Sequence, residues 1–176
     1  MRIAVLDIGS NSTRLLLADV DPATGAITEL ARRSTVTRLG DGVERTGELA
    51  AEPMERVLAA LSDYDRLIDD AGGADRRLAV LTSAVRDASN GAMFTARVAA
   101  EHELEAQAIP GELEAQLSYL GATSERPHGD ETLVVVDIGG GSTEFVVGRA
   151  GEVLFHTTTQ AGVVRHTERH IHHDPP

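Results

Sequence analysis

Two short segments carry the residue types that bind phosphate and metal. Residues 3–14 read Ile-Ala-Val-Leu-Asp-Ile-Gly-Ser-Asn-Ser-Thr-Arg, and residues 133–144 read Leu-Val-Val-Val-Asp-Ile-Gly-Gly-Gly-Ser-Thr-Glu. Each is an apolar run, then Asp-Ile-Gly, two short residues, Ser-Thr and a charged residue. A Gly-rich turn between strands exposes successive backbone N–H groups, because glycine reaches backbone angles that other residues avoid. Concave amide clusters of this kind bind phosphate oxygens, and the Ser and Thr hydroxyls add donors. Asp7 and Asp137 stand at strand ends, where a carboxylate can hold Mg²⁺ directly or through water. Glu144 lies across the turn from Asp137, so both carboxylates could face one metal.

A plain hairpin turn is the bland alternative, since a short glycine motif matches by chance. A second copy, also opened by Asp, argues against it. The loops are not of the Walker type, which requires Lys, and the chain has none. Nor are they a dinucleotide fingerprint, because Gly139-Gly140-Gly141 leads back into a strand rather than opening a helix.

The elements that must position these loops are legible from periodicity. Each copy reads as a strand, a tight loop and a returning strand (Leu15 to Val20; Phe145 to Gly148), then a turn and a third strand (Ile27 to Ala31; Glu152 to Thr159). Two copies of one unit predict two related lobes whose loops pinch a ligand between them. Between them, Met54, Val57, Leu58, Leu61, Tyr64 and Ile68 have helical spacing, with Pro53 in the first turn and Gly72-Gly73 as the stop. Leu78 to Leu81 predicts a strand, Ala92 to His102 a helix, and Glu105 to Ile109 a strand. Leu113, Leu117 and Leu120 mark one face of a further helix ending near Gly121. Residues 124–131, with Pro127 and Gly129, read as a linker, giving lobes of 1–127 and 128–176. The order is that of an α/β protein.

Composition narrows the chemistry. The 176 residues are 41% hydrophobic but only 3% aromatic, so Leu, Val, Ile and Ala must build the core. The net charge is -12, and every basic side chain is Arg. An acidic chain without a basic stripe is a poor partner for nucleic acid. Without Cys there are no disulfides, thiolate metal sites or Cys nucleophiles. The segment from Met1 meets Asp7 too soon for a signal peptide, and no stretch approaches a membrane span. The expectation is a soluble, cytoplasmic protein with no membrane partner.

Paired Asp-x-Gly loops on duplicated lobes resemble the actin, sugar kinase and heat-shock chaperone superfamily, whose lobes are ribonuclease H-like. Within it, Asp7-Ile8-Gly9-Ser10-Asn11-Ser12 and Asp137 to Glu144 resemble the two phosphate motifs of the exopolyphosphatase and guanosine pentaphosphate phosphohydrolase family. Two further segments agree: Thr82-Ser83-Ala84-Val85-Arg86-Asp87-Ala88-Ser89-Asn90, and Ile109-Pro110-Gly111-Glu112-Leu113-Glu114-Ala115. The closing Arg165-His166-Thr167-Glu168-Arg169 is also similar. Pro110 and Leu113 stand where the family usually has polar residues.

The resemblance implies roles. Glu114 would orient or deprotonate the attacking water. Asp137 and Glu144 would hold Mg²⁺ or Mn²⁺, with Asp7 a further candidate from its strand-end position. Gly9, Ser10, Asn11, Ser12, Arg86, Gly139, Gly140, Gly141, Ser142 and Thr143 would contact phosphates. The reaction would release orthophosphate from inorganic polyphosphate; the alternatives are hydrolysis of guanosine pentaphosphate, or non-catalytic binding of phosphate or an alarmone. Family members carry a complete second lobe, so the chain is expected to be a fragment of low activity, with an exposed face favouring a homodimer. A carboxylate such as Glu114 is also favoured in any first helical turn by the helix dipole. Arg86 could equally pair with Asp87. His166, His170, His172 and His173 read as a polar helix face rather than a zinc site. Leu39-Gly40-Asp41-Gly42-Val43 reads as a turn.

Overall fold

A computed structural model describes residues 1–126 and 129–171. The chain forms two compact units, Met1–Ala108 and Ile109–Pro176. The first opens with strands β1 (Arg2–Ile8), β2 (Ser12–Val20) and β3 (Ile27–Val36), then a short turn of helix α1 (Val43–Thr46) and the long helix α2 (Ala51–Asp70). Strand β4 (Arg76–Leu81), short helix α3 (Ser83–Asp87), helix α4 (Gly91–His102) and strand β5 (Glu105–Ala108) complete it. Its sheet runs β3-β2-β1-β4-β5: β1 pairs antiparallel with β2 and parallel with β4.

The β1 run alternates so that Ala4, Leu6 and Ile8 are buried, and Leu15 and Leu17 follow on β2. Helix α2 turns Val57, Leu58, Leu61 and Ile68 to the same core, and α4 contributes Phe94 and Val98. Each such Leu, Ile, Val or Phe side chain, fully buried, contributes roughly 1.5–3 kcal/mol. The predicted glycine stop holds: Gly73 has φ 83 and donates its N–H to the Ile68 carbonyl at 2.8 Å, a Schellman-type closure. At the free end of the sheet, Arg2 Nε lies 2.9 Å from Asp19 Oδ1, joining β1 to β2. That guanidinium holds the Asp19 carboxyl below its ordinary range.

The second unit begins with helix α5 (Gly111–Thr123), followed by strands β6 (Thr132–Ile138), β7 (Thr143–Arg149) and β8 (Glu152–Thr159) and helix α6 (Val163–His170). The three strands form an antiparallel meander. The boundary lies earlier than the 127/128 expected from composition, because α5 joins the second sheet: Ala115 and Tyr119 bury against Val146, flanked by Leu133, Val135 and Val153. Pro127, within the expected linker, and His172 and His173 fall outside the described residues. The predicted Leu face of α5 is also not the buried one. Leu117 and Leu120 are about half exposed, and the small Ala115 lets the helix approach the sheet instead. On the opposite sheet face Val134, Val136, Ile138 and Phe155 are exposed. No helix among the described residues is long and apolar enough to cross a membrane.

Candidate functional site

The two Gly loops share one geometry. Gly9 N–H donates to the Ser12 carbonyl at 3.0 Å, and Gly139 N–H donates to the Ser142 carbonyl at 2.9 Å. A Cβ would press on the same acceptor in each, 3.2 Å from Ser12 O and 3.1 Å from Ser142 O. Glycine at both positions therefore eases a close approach rather than an unusual φ.

Neighbouring backbone takes the loop carbonyls. In the first unit Thr37 and Arg38 N–H donate to Asn11 O at 3.1 and 2.9 Å, and Gly40 N–H donates to Ser10 O at 2.8 Å. In the second, the start of α6 does the same. Val163 N–H reaches Gly139 O at 2.9 Å, Val164 N–H reaches Gly140 O at 2.8 Å, and Arg165 Nε donates to Gly141 O at 2.8 Å. By contrast, the amides of Ser10, Asn11, Gly140, Gly141 and Ser142 donate to no acceptor among the described residues. Donors without acceptors beside tied-back carbonyls are what an anion requires.

The hydroxyls are less available than the sequence suggests. Ser10 is 3% exposed; its Oγ lies 2.9 Å from Ser83 Oγ and accepts the Ala84 N–H at 3.2 Å. Thr143 is 6% exposed, and its hydroxyl donates to the Ala161 carbonyl. Both side chains brace their loops, leaving backbone amides as the donors. Helix α3, fastened to Ser10 through Ser83 and Ala84, carries Arg86 two residues on, so Arg86 shares the neighbourhood of the first loop.

The units differ in the residue facing each Asp. Asp7 pairs across the strands with Arg14, 3.5 Å between Nη1 and Oδ2, so its charge is met within the protein. Asp137 pairs with Glu144 at the same step of the ladder. Directly opposite side chains have Cβ atoms about 4.5–5.5 Å apart, and like charges there repel. Glu144 is 1% exposed while Asp137 is exposed, so a buried carboxylate lies beside a solvent-accessible one. Ser118 Oγ donates to Asp137 Oδ2 at 2.7 Å and fixes that carboxylate. The donor set suits a small, hard divalent cation with water or phosphate oxygens at its other positions. Among the described residues no three carboxylates or imidazoles converge on one metal, and Asp7 belongs to the other unit. The His166 and His170 rings stack 5.6 Å apart on α6.

Helix α5 places Glu114 over this pair. Asp137, Glu144 and Thr158 form one row across β6, β7 and β8. Gly111 abuts Thr158, whose Oγ1 lies 3.1 Å from where a Cβ would stand, and Ser118 reaches Asp137. Seven helical residues rise about 10.5 Å, and two strand spacings are about 9.6 Å, so the helix crosses the row from end to end. Glu114, midway and on the Ser118 face, lies above the middle strand, where Glu144 stands. Sequence reasoning missed Ser118, Ser83, the Thr37–Gly40 strap and the α6 clasp. Helical spacing, four residues on from Glu114, could have found Ser118.

The Ppx/GppA phosphatase family profile matches residues 16–176. Exopolyphosphatase 2 of Mycobacterium tuberculosis is 42% identical over 99% of this chain and 56% of its own length. The crystal structure of an exopolyphosphatase from Cytophaga hutchinsonii superposes with a TM-score of 0.90 at 31% identity, covering 99% of this chain and 55% of that one. The Ppx/GppA family member of Aquifex aeolicus gives 0.77 at 38% identity, over 100% of this chain and 56% of that one. The chain thus spans about half the length of the curated relatives it matches. Its fold is the actin-like, ribonuclease H-like one expected from the sequence. By this match, and by the loops that carry it, the chain belongs to the Ppx/GppA phosphatase family.

Proposed function

We propose that the chain supplies the phosphate loops and the hydrolytic carboxylates of a divalent-metal-dependent exopolyphosphatase, which removes terminal orthophosphate from inorganic polyphosphate. One observation carries this reading: Asp137 faces Glu144 across β6 and β7, with Ser118 of α5 donating to Asp137 and an amide-lined loop beside the pair; the course of α5 over the sheet supports Glu114 as the carboxylate above them. The names of the relatives supply the substrate class. Phosphoryl transfer of this kind needs little covalent help from protein, and most of the work is positioning and charge neutralisation.

The loop amides of Gly140, Gly141 and Ser142 receive phosphate oxygens. Asp137 and Glu144 hold Mg²⁺ or Mn²⁺, which supplies further neutralisation of the phosphate charge. Glu114 accepts a hydrogen bond from water and aims its oxygen at the terminal phosphorus. As that P–O bond forms, the bridging P–O bond breaks with its electron pair leaving on the shortened chain, and the water proton passes to Glu114. Asp7, already paired with Arg14, is left to shape the first loop. No feature of the structure favours guanosine pentaphosphate over polyphosphate.

The test is orthophosphate release from long-chain polyphosphate with Mg²⁺, by this chain and by Glu114→Gln. The reading predicts slow release by the wild type and a loss of roughly 100-fold or more in the variant. Polyphosphate binding should stay within about threefold, because the variant keeps the loop donors. Equal release by both would contradict the role of Glu114, and no polyphosphate binding by either would contradict the function.

A further inference from the structure

The first unit holds a second feature suited to anions, a pocket of 610 Å³ lined in part by Arg38, Arg45, Arg56, Asp41, Glu52 and Thr46. Its volume lies in the range of small-molecule sites. In a chain of net charge -12 an arginine is expected to find a carboxylate, and Arg2, Arg14, Arg66, Arg76, Arg77 and Arg97 all do. Arg56 is likewise satisfied: Nη1 donates to Glu52 at 2.9 Å and Nε donates to Thr37 O at 2.8 Å. Arg38 and Arg45 are different. Among the described residues neither guanidinium has an ion pair or hydrogen bond. With Glu52 met by Arg56, the pocket opposes two free guanidinium groups to one carboxylate, that of Asp41, and so is locally cationic.

The pocket is also fastened to the first phosphate loop. Arg38 N–H donates to Asn11 O at 2.9 Å, and the adjacent amide of Thr37 shares that acceptor. Arg38 has φ 49, a left-handed conformation unusual for a residue with a Cβ. Such backbone persists where the surrounding structure over-determines it, and it clusters at ligand sites. Here it follows the end of β3, where the Arg38 backbone is bonded to Asn11 O and its side chain lines the pocket. Buried Leu39, and Gly40 packed on Ser10, anchor the turn.

We propose that this pocket is an auxiliary subsite for phosphate groups of the same phosphoanhydride chain that the first loop engages, with Arg38 and Arg45 as the contacting residues. The inference rests on the function proposed above and adds where phosphates beyond the loop are held. Arg offers planar, bidentate donors to phosphate. Two of them one loop away from the amide cradle give a chain two points of attachment, whereas orthophosphate, a single group, can use only one.

Affinities for long-chain polyphosphate, guanosine pentaphosphate and orthophosphate, measured with Mg²⁺, test this in Arg38→Asn, Arg45→Gln and the double variant. Asn tolerates the left-handed backbone at position 38, and both residues are exposed, so folding is preserved. Arg33→Gln, on exposed β3, is the control. The expected result is a loss of about tenfold per arginine for the chain substrate, with orthophosphate binding and the control unchanged. Loss against polyphosphate assigns the pocket to the inorganic chain; loss confined to guanosine pentaphosphate assigns it to a nucleotide's phosphates. Wild-type affinity in all variants overturns the subsite alone. No binding of either chain by the wild type overturns the subsite together with the function it rests on.

Discussion

The most exacting test of the second loop's architecture is Gly162→Ala. Gly162 precedes α6 with φ -96 and ψ 159, angles open to any residue, so alanine brings no backbone strain. The obstacle is contact. A Cβ at this position would lie 2.2 Å from Gly140 O, 2.3 Å from Gly140 C and 2.4 Å from Gly141 C. All three atoms are backbone, so no rotamer change relieves the overlap, and the start of α6 must retreat by about 1 Å to restore ordinary van der Waals contact. That movement stretches Val163 N–H to Gly139 O and Val164 N–H to Gly140 O beyond bonding distance. Two hydrogen bonds at roughly 0.5–1.5 kcal/mol each put the cost at about 1–3 kcal/mol. The loop carbonyls, no longer held back, also lose their fixed orientation, so phosphate affinity falls with stability. Urea denaturation and a polyphosphate titration read the two effects. Gly121→Ala is the control: it lies in α5 with nothing within 4 Å of its Cβ, and helix propensity predicts a gain of up to about 1 kcal/mol. A Gly162→Ala chain with wild-type urea midpoint and affinity would refute the clasp.

Two further outcomes follow from neighbouring contacts. Ser118→Ala removes the hydroxyl that donates to Asp137 Oδ2; by analogy with other residues that orient metal ligands, Mg²⁺-dependent polyphosphate binding should weaken about tenfold, while binding without Mg²⁺ is unchanged. Asp19, whose carboxyl Arg2 holds below its ordinary range, contributes stability that is present above about pH 4 and is lost as pH falls through its lowered folded value. Asp19→Asn should therefore be less stable than the wild type at pH 7, with the gap narrowing in urea titrations as pH falls below about 4. A gap that persists in acid would contradict the pairing.

Much of this was legible in the sequence because it rests on local rules. The repeated Asp-Ile-Gly segments predicted two strand–loop–strand units, and both loops adopt the same Gly N–H to Ser carbonyl closure. Apolar spacing from Met54 to Ile68 predicted α2, and Gly72-Gly73 its end. What escaped depends on contacts between distant segments. Nothing local in Thr37-Arg38-Leu39-Gly40 says that the strap bonds Asn11 and Ser10, and Leu39 to Val43 reads only as a turn. The hydroxyls of Ser10 and Thr143 look like phosphate donors until Ser83 and Ala161 are seen to engage them. Leu113, Leu117 and Leu120 are the most hydrophobic line on α5, yet Ala115 and Tyr119 form its buried seam, since close approach to the sheet favours the small residue. The contrast between Asp7 facing Arg14 and Asp137 facing Glu144 needed the strand register, which the aligned repeat foreshadows but does not prove.

That contrast assigns the cation site to the second unit. Isothermal titration of tripolyphosphate into the chain, with and without Mg²⁺, compared with the isosteric double variant Asp137→Asn/Glu144→Gln, addresses it directly. Mg²⁺ should raise the wild-type affinity by about tenfold or more and do nothing for the variant beyond its effect on tripolyphosphate itself. An equal Mg²⁺ enhancement in both proteins, or none in the wild type, would contradict the assignment of the paired carboxylates as the cation site.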